Sequence, residues 1–139
     1  MPHWVDGKTF DILKSVMHPY PEDAPVRRLV IDDVRVFKFE VTRYARNPQD
    51  AMIAIRDHGP WDETFWDHDL GSSFDENITI YPVLMMVLEA AFYGSPYQLG
   101  KCFIHTDNPV GRDVLRQLEK YYEVYHIDAG PLVEDILPH

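Results

Sequence analysis

The chain has a single cysteine, Cys102, so it cannot form an internal disulfide. A chain without disulfides is typical of a reducing compartment. Cys102 lies within an apolar run, and no neighbour in the sequence would lower the pKa of its thiol. The sequence therefore predicts a buried structural cysteine here and argues against a cysteine nucleophile.

Long apolar segments are also missing. The longest stretch, residues 83–93, is interrupted by Glu89 and is shorter than the roughly 18 apolar residues that a membrane span needs. The first ten residues include Trp4, Asp6 and Lys8 and have no apolar core of the kind found in signal peptides. These absences predict a cytoplasmic protein that does not contact a membrane.

Basic residues are scarce. The chain has 13 Lys and Arg against 23 Asp and Glu, which gives a net charge of −10 with His neutral. Such a charge repels the backbone of nucleic acids unless a local basic patch or a metal ion intervenes. Two interpretations stay open: ordinary solubility, which is the commoner one, or an acidic surface that resembles nucleic acid and binds a partner protein.

The length of 139 residues suits one domain with a substantial core. Residues 18–25 are rich in proline and predict an extended linker, preceded by a short helix over residues 9–17. We therefore divide the chain into an N-terminal extension (1–27), an α/β domain (28–130) and a C-terminal tail (131–139). The extension either covers a sheet edge or contacts a partner.

Strand patterns and helix patterns alternate from residue 28 onward. Helices are predicted at 48–58, from about 81 to 93, and at 109–122, each with a proline near its start. Strands are predicted at 29–32, 39–44, 65–66, 101–106 and 122–127. Alternation of this kind predicts a mostly parallel sheet with helices on both faces.

Three of the apolar strand patterns end in polar clusters. Asp32 and Asp33 follow the first, Asp67 begins the second, and His105 begins the third. Because the carboxyl ends of parallel strands meet at one sheet edge, we expect these clusters to lie together. Each Asp could simply cap a turn, but three carboxylates at adjacent strand ends repel each other unless a cation neutralises them. Asp32, Asp33 and Asp67 thus predict a Mg²⁺ site, with Mn²⁺ as the alternative ion.

Two histidines and one helix start complete the pattern. His68 and His105 are candidate general acid and base, and His105 is the stronger candidate because it leaves a buried strand just before a helix. Asn108 is a candidate N-cap of that helix, and Arg112 one turn later could bind phosphate. A plain cap with a surface arginine paired to an acidic neighbour fits this segment equally well.

The three clusters together resemble the cyclic-phosphate processing receiver domains over roughly residues 28–128. The motifs that carry the resemblance are Asp32-Asp33 with Arg35, Asp67-His68-Asp69-Leu70-Gly71, and His105-Thr106 followed by Asn108-Pro109-Val110-Gly111-Arg112. This resemblance implies a five-stranded, three-layer, flavodoxin-like sheet with its site at the carboxyl edge. It also implies a protein of bacteria or of phage-infected bacterial cells.

The resemblance further implies roles for single residues. Asp32 and Asp33 match the acidic pair that holds Mg²⁺ in receivers, Asp67 the phosphoryl-acceptor position, and Thr106 the hydroxyl. His68, Asp69 and His105 are additions of this family. The lysine that completes an ordinary receiver site is missing from the last strand pattern, which argues against the usual phosphorelay switching.

Three hypotheses about function follow. The first is a metal-dependent phosphoesterase that processes a cyclic phosphate on an RNA end or a nucleotide. Its expected residues fall into a catalytic set (Asp67, His68, Asp69 and His105) and a phosphate-binding set (Thr106, Asn108, Gly111 and Arg112). The second is a receiver that accepts a phosphoryl group at Asp67. The third is a non-catalytic acidic module that binds a partner protein, and a homodimer fits any of the three.

Overall fold

The computed structural model describes residues 3–4, 26–70 and 78–138. The predicted helix over 9–17, the linker over 18–25 and Gly71 lie outside the described residues. In chain order the elements are β1 (His3–Trp4), β2 (Arg28–Ile31), β3 (Arg35–Phe37), β4 (Arg43–Ala45), α1 (Pro48–Asp57), β5 (Glu63–Trp66), α2 (Tyr81–Phe92), β6 (Lys101–Ile104), α3 (Pro109–Leu115), a 3₁₀ helix (Arg116–Lys120), β7 (Val124–His126), a second 3₁₀ helix (Gly130–Leu132) and β8 (Val133–Ile136).

The central sheet is parallel throughout, in the order β1-β7-β6-β5-β2-β4. Apart from β1, this is the order of a flavodoxin-like sheet, in which the first strand lies between the second and the third. The predicted five-stranded parallel α/β sheet is therefore confirmed. The two-residue strand β1 pairs with β7, so the N-terminal extension begins on an edge of the sheet.

One face of the sheet packs against the helices. Strand residues such as Leu29, Trp66 and Ile104 point to this side and join the buried residues of α1, α2 and α3 in one apolar cluster. Cys102 belongs to the same cluster and has no exposed surface, and burial raises the pKa of its thiol to about 12. The predicted structural role of this cysteine agrees with its position.

The opposite face carries a different layer. Phe39, Phe65, Phe103 and Tyr125 form a stack with centroid separations of 4.7, 4.7 and 5.2 Å. The antiparallel pair β3–β8 and the second 3₁₀ helix cover this stack. Among the described residues, the three α-helices thus lie on one face and an antiparallel ribbon forms the third layer on the other.

Several element boundaries differ from the predicted ones. The strand predicted at 39–44 is β4 at Arg43–Ala45, because Phe39 turns into the aromatic stack and is only 9 % exposed. The helix predicted at 109–122 is α-helical only to Leu115 and continues as a 3₁₀ helix. The segment predicted as a tail from residue 131 is part of the fold, because Leu132 is fully buried and β8 pairs with β3.

The parallel register decides which residues meet at the carboxyl edge. Ile31 is opposite Trp66, and Trp66 is opposite Ile104. The next residues along the three strands therefore leave the sheet side by side.

None of the helices in the described ranges is long and apolar enough to cross a membrane.

Candidate functional site

Asp32 is the buried centre of the cluster at the carboxyl edge. Its Oδ1 accepts the backbone N–H groups of Val34 (2.9 Å) and Arg35 (2.8 Å). Its Oδ2 accepts from Arg35 Nη1 (2.9 Å) and His105 Nε2 (3.0 Å). Burial by itself would raise the pKa of Asp32, but the hydrogen bond and charge of His105 and the two backbone N–H groups lower it well below its usual range. Asp32 is therefore ionised and fully hydrogen-bonded.

Asp67 lies beside Asp32 in a different electrostatic environment. Its Oδ1 accepts the N–H of His68 at 2.9 Å, and its Oδ2 lies 3.3 Å from Arg35 Nη1. Burial is the main cause that raises the pKa of Asp67 to about 6; the charge of Asp32 adds to it, and His105, Arg35 and the Thr106 hydroxyl oppose it. Asp67 is consequently a carboxyl group that titrates close to neutral pH.

Arg35 links the carboxylates of three different loops. Nη1 donates to Asp32 and Asp67, and Nη2 donates to Asp107 Oδ2 at 2.8 Å. The sequence motif includes Arg35, but sequence reasoning assigned it no role. The sequence indication for this role is the spacing: a long side chain three residues after Asp32 can reach back to that carboxylate.

Arg46 is a second residue of this region whose role was not predicted from the sequence. Its Nη1 donates to the backbone carbonyls of Arg35 (2.7 Å) and Asp32 (3.3 Å), and its guanidinium lies 4.1 Å from the ring centroid of Tyr44. Arg46 therefore holds the turn that presents Asp32 and Arg35. No motif in the sequence indicated it, because its partners are backbone atoms.

Asp32, Asp67 and His105 form the group that could hold a metal ion. All three are buried, and one ligand atom from each lies within 4.8 Å of the others. The predicted set contained Asp33 in place of His105. Asp33 lies outside this group because the register aligns residues 32, 67 and 105 and the chain bends at Asp33.

The donor set fits a divalent cation. Two carboxylates suit Mg²⁺ and Mn²⁺ alike, whereas the imidazole of His105 is a ligand more typical of ions such as Zn²⁺ and Fe²⁺. Arg35 and His105 both donate to Asp32 Oδ2, so a cation bound there would compete with these two hydrogen bonds. The residues present thus agree with a site for a divalent metal ion.

His68 and Asp69 form a hydrogen-bonded pair next to the buried cluster. Its Nδ1 lies 2.9 Å from Asp69 Oδ1, and its side chain is 13 % exposed. Asn108 Nδ2 donates to the other oxygen of Asp69 at 3.4 Å. The imidazole lies against Gly111, where a Cβ would fall only 2.4 Å from His68 Cγ. Glycine at 111 therefore makes room for the ring.

These positions agree with the result of a comparison with protein families. The family model described as "Cyclic-phosphate processing Receiver domain" matches residues 27–120, about two thirds of the chain. The chain belongs to this family. No curated protein and no solved structure matches it.

The matched part of this receiver domain contains every residue of the cluster. It begins one residue before β2 and ends with the 3₁₀ helix at Lys120, so β7, β8 and the N-terminal extension lie beyond it. The resemblance noted in the sequence is confirmed.

The predicted phosphate-binding residues of the receiver domain also come together, on the segment that starts α3. Asn108 Oδ1 accepts the N–H groups of Val110 (3.0 Å) and Gly111 (3.2 Å), as the predicted N-cap. Thr106 Oγ1 accepts the N–H of Asn108, and Arg112 Nη2 donates to the Thr106 carbonyl at 3.0 Å. These polar groups form hydrogen bonds within the fold itself. Their binding of phosphate stays a prediction.

Proposed function

We propose that this receiver domain opens a cyclic phosphodiester by adding water, on a nucleotide or an RNA end. One observation carries the proposal: the buried carboxylates Asp32 and Asp67, joined by Arg35, lie beside the partly exposed His68–Asp69 pair at one sheet edge. The family to which the chain belongs supports the choice of a cyclic phosphate.

Arg35 is the group best placed to meet the phosphate. Its guanidinium offers planar pairs of N–H donors that match two phosphate oxygens, and 19 % of the side chain is exposed. The surrounding carboxylates oppose the approach of an anion in a chain with a net charge of −10. A divalent cation held by Asp32, Asp67 and His105 would supply further positive charge for the phosphate when bound.

Two proton transfers complete the reaction. In the metal-free protein Asp67, whose pKa burial raises to about 6, is ionised at neutral pH and basic enough to take a proton from the attacking water. The water oxygen forms a bond to phosphorus, and one ester bond of the ring breaks. His68, which is hydrogen-bonded to Asp69 through Nδ1, donates a proton to the leaving oxygen. The product is a phosphomonoester with a free hydroxyl group.

His105 has a different part in this scheme. Its side chain has no exposed surface, and Nε2 donates to Asp32. Its Nδ1 is buried and has no hydrogen-bond partner among the described residues. We therefore assign the predicted acid–base work to His68 and treat His105 as a residue that positions Asp32 and supplies a metal ligand.

The test is the conversion of cytidine 2′,3′-cyclic monophosphate to a monophosphate, followed by ³¹P NMR without metal, with Mg²⁺ and with Mn²⁺. We expect product with the wild type, and a loss of about 100-fold or more in kcat for His68→Gln and for Asp67→Asn. His58→Gln is the matched control, because His58 is exposed at the end of α1 and outside the cluster. Absence of product under all three conditions, with folded protein, would overturn the proposal.

A non-catalytic module that binds a partner protein is the second candidate. Arg35 pairs with both Asp32 and Asp67 without any ligand, which a purely structural site would also require. Phe92 and Tyr93 are 69 % and 75 % exposed at the other end of α2, where a protein partner could contact them. This candidate predicts no product under any of the three conditions.

A further inference from the structure

A cavity of about 400 Å³ lies between the starts of α1 and α2. We refer to it as the α1–α2 cavity. Its lining comes from the first turns of α1 and from the residues that enter α2: Pro48, Gln49, Met52, Ile78, Thr79, Tyr81 and Pro82. Its volume is within the range of small-molecule sites.

The walls of this cavity are attached to the catalytic cluster on both sides. Thr79 forms a β-bridge with Asp69, and the N–H of Ile80 donates to the carbonyl of His68 at 2.8 Å. On the α1 side, Arg46 precedes Pro48 by two residues and donates to the carbonyls of Asp32 and Arg35. The α1–α2 cavity therefore lies at the same carboxyl edge of the sheet as the cluster.

The chemistry of the lining suits an uncharged flat ring. Met52, Ile78 and Tyr81 provide apolar surface, and half of Tyr81 is exposed (52 %). Gln49 and Thr79 add an amide and a hydroxyl group, and none of the described lining residues has a charged side chain. Aromatic side chains stack on nucleobases, and amide side chains hydrogen-bond to base edges. A phosphate group has no cationic partner among the described lining residues.

We propose that the α1–α2 cavity binds the nucleobase of the substrate, with the base stacked on Tyr81 and its edge against Gln49. The substrate is then a nucleoside cyclic phosphate, at a free or RNA-terminal position, and base-free cyclic phosphodiesters are poor substrates. This inference rests on the proposed function, because the cyclic phosphate places the base next to the cavity.

Another cavity, of about 700 Å³, lies further along α2. It lies between the C-terminal half of α2 and the first 3₁₀ helix, and Phe92 and Tyr93 line it. Its lining on α2 begins at Met85, four residues and so about 6 Å along the helix from Tyr81. The α1–α2 cavity is therefore the nearer of the two to the start of α2.

The experiment compares Tyr81→Ala with Tyr93→Ala, an identical substitution of an exposed tyrosine at the other end of α2. Two substrates are used: cytidine 2′,3′-cyclic monophosphate, and glycerol 1,2-cyclic phosphate, which has no base. We expect Tyr81→Ala to raise KM for the nucleotide by about tenfold and to leave kcat/KM for the glycerol compound unchanged. Tyr93→Ala should behave like the wild type on both.

The outcomes separate the two proposals. Equal kcat/KM of the wild type on both substrates, or an equal loss on both with Tyr81→Ala, would refute the base-binding role and leave the proposed function intact. If neither substrate is opened, binding of the nucleotide is measured instead by saturation-transfer NMR. Transfer to the base protons should be seen with the wild type, His68→Gln and Tyr93→Ala. It should be lost with Tyr81→Ala. Absence of transfer in the wild type would overturn the inference.

Discussion

The imidazole of His68 lies so close to Gly111 that a Cβ on residue 111 would be 2.4 Å from Cγ and 2.5 Å from Cβ of His68. Gly111 lies on α3, and His68 follows β5, so the contact joins two separate strand-end loops. It explains why a residue of low helix propensity stands in the first turn of α3. The orientation of His68 toward Asp69 depends on this contact.

Gly111→Ala should move His68 away from Asp69. Alanine gains about 1 kcal/mol of helix propensity, whereas overpacking typically costs about 1–3 kcal/mol, so we expect a small net loss of stability. Activity should fall far more than stability, because the proton donor is displaced. Urea unfolding and the cyclic-phosphate assay measure the two effects.

Val110→Ala is the control for this substitution, since Val110 is in the same turn and is 71 % exposed. It should change neither the free energy of unfolding nor the activity. Full activity in Gly111→Ala, with the imidazole resonance of His68 unmoved, would show that the close contact does not matter.

Arg35→Ala should destabilise the protein and strengthen its binding of cations. Removal of one partner from a buried ion pair costs about 3–5 kcal/mol, and the partly exposed Arg35 should be near the lower limit. Because the guanidinium also competes for Asp32 Oδ2, its loss should raise Mn²⁺ affinity by about tenfold, and Mn²⁺ should restore part of the stability. Calorimetric titration and urea unfolding in EDTA or Mn²⁺ measure both.

Arg56→Ala serves as the comparison, because Arg56 pairs with Asp57 at the surface and both side chains are about half exposed. Stability and Mn²⁺ affinity should stay close to the wild-type values. An Arg35→Ala protein that bound Mn²⁺ no better than the wild type would argue against the metal site of Asp32, Asp67 and His105.

The titration of Asp67 should appear in the pH dependence of stability. The pKa of Asp67 rises from 3.8 to about 6 on folding, so between these values the folded protein keeps a proton that the unfolded chain has released. Stability therefore falls as the pH rises from about 4 to about 6. The raised pKa corresponds to a cost of about 3 kcal/mol at pH 7.

Asp67→Asn removes this titration. The unfolding free energy of the variant minus that of the wild type should increase by about 2 kcal/mol between pH 4 and pH 7, measured by urea unfolding. The pKa of Asp32 is lowered, so its own titration lies below this window and does not disturb the comparison. A difference that is independent of pH would show that Asp67 is not perturbed in the folded protein.

Local sequence pattern was sufficient to predict much of the fold of this protein. The alternation of strand and helix patterns identified the parallel α/β sheet, and Asn108 was identified as an N-cap because a short polar side chain before proline is a local signal. The three polar strand ends were also visible, since strands of a parallel sheet deliver their following residues to one edge. The family resemblance rested on those same residues.

Tertiary structure alone decided how the strand-end residues combine. Strand register aligns residues 32, 67 and 105, which brings His105 into the metal group and leaves Asp33 outside it. The turn after Asp32 starts β3 at once, so a ribbon of β3 and β8 covers a face on which helices were expected. The bridging by Arg35, and burial of Asp67 beside Asp32, depend on distances between loops far apart in sequence. Periodicity carries no information on such distances, and pKa values and ion pairs follow from them.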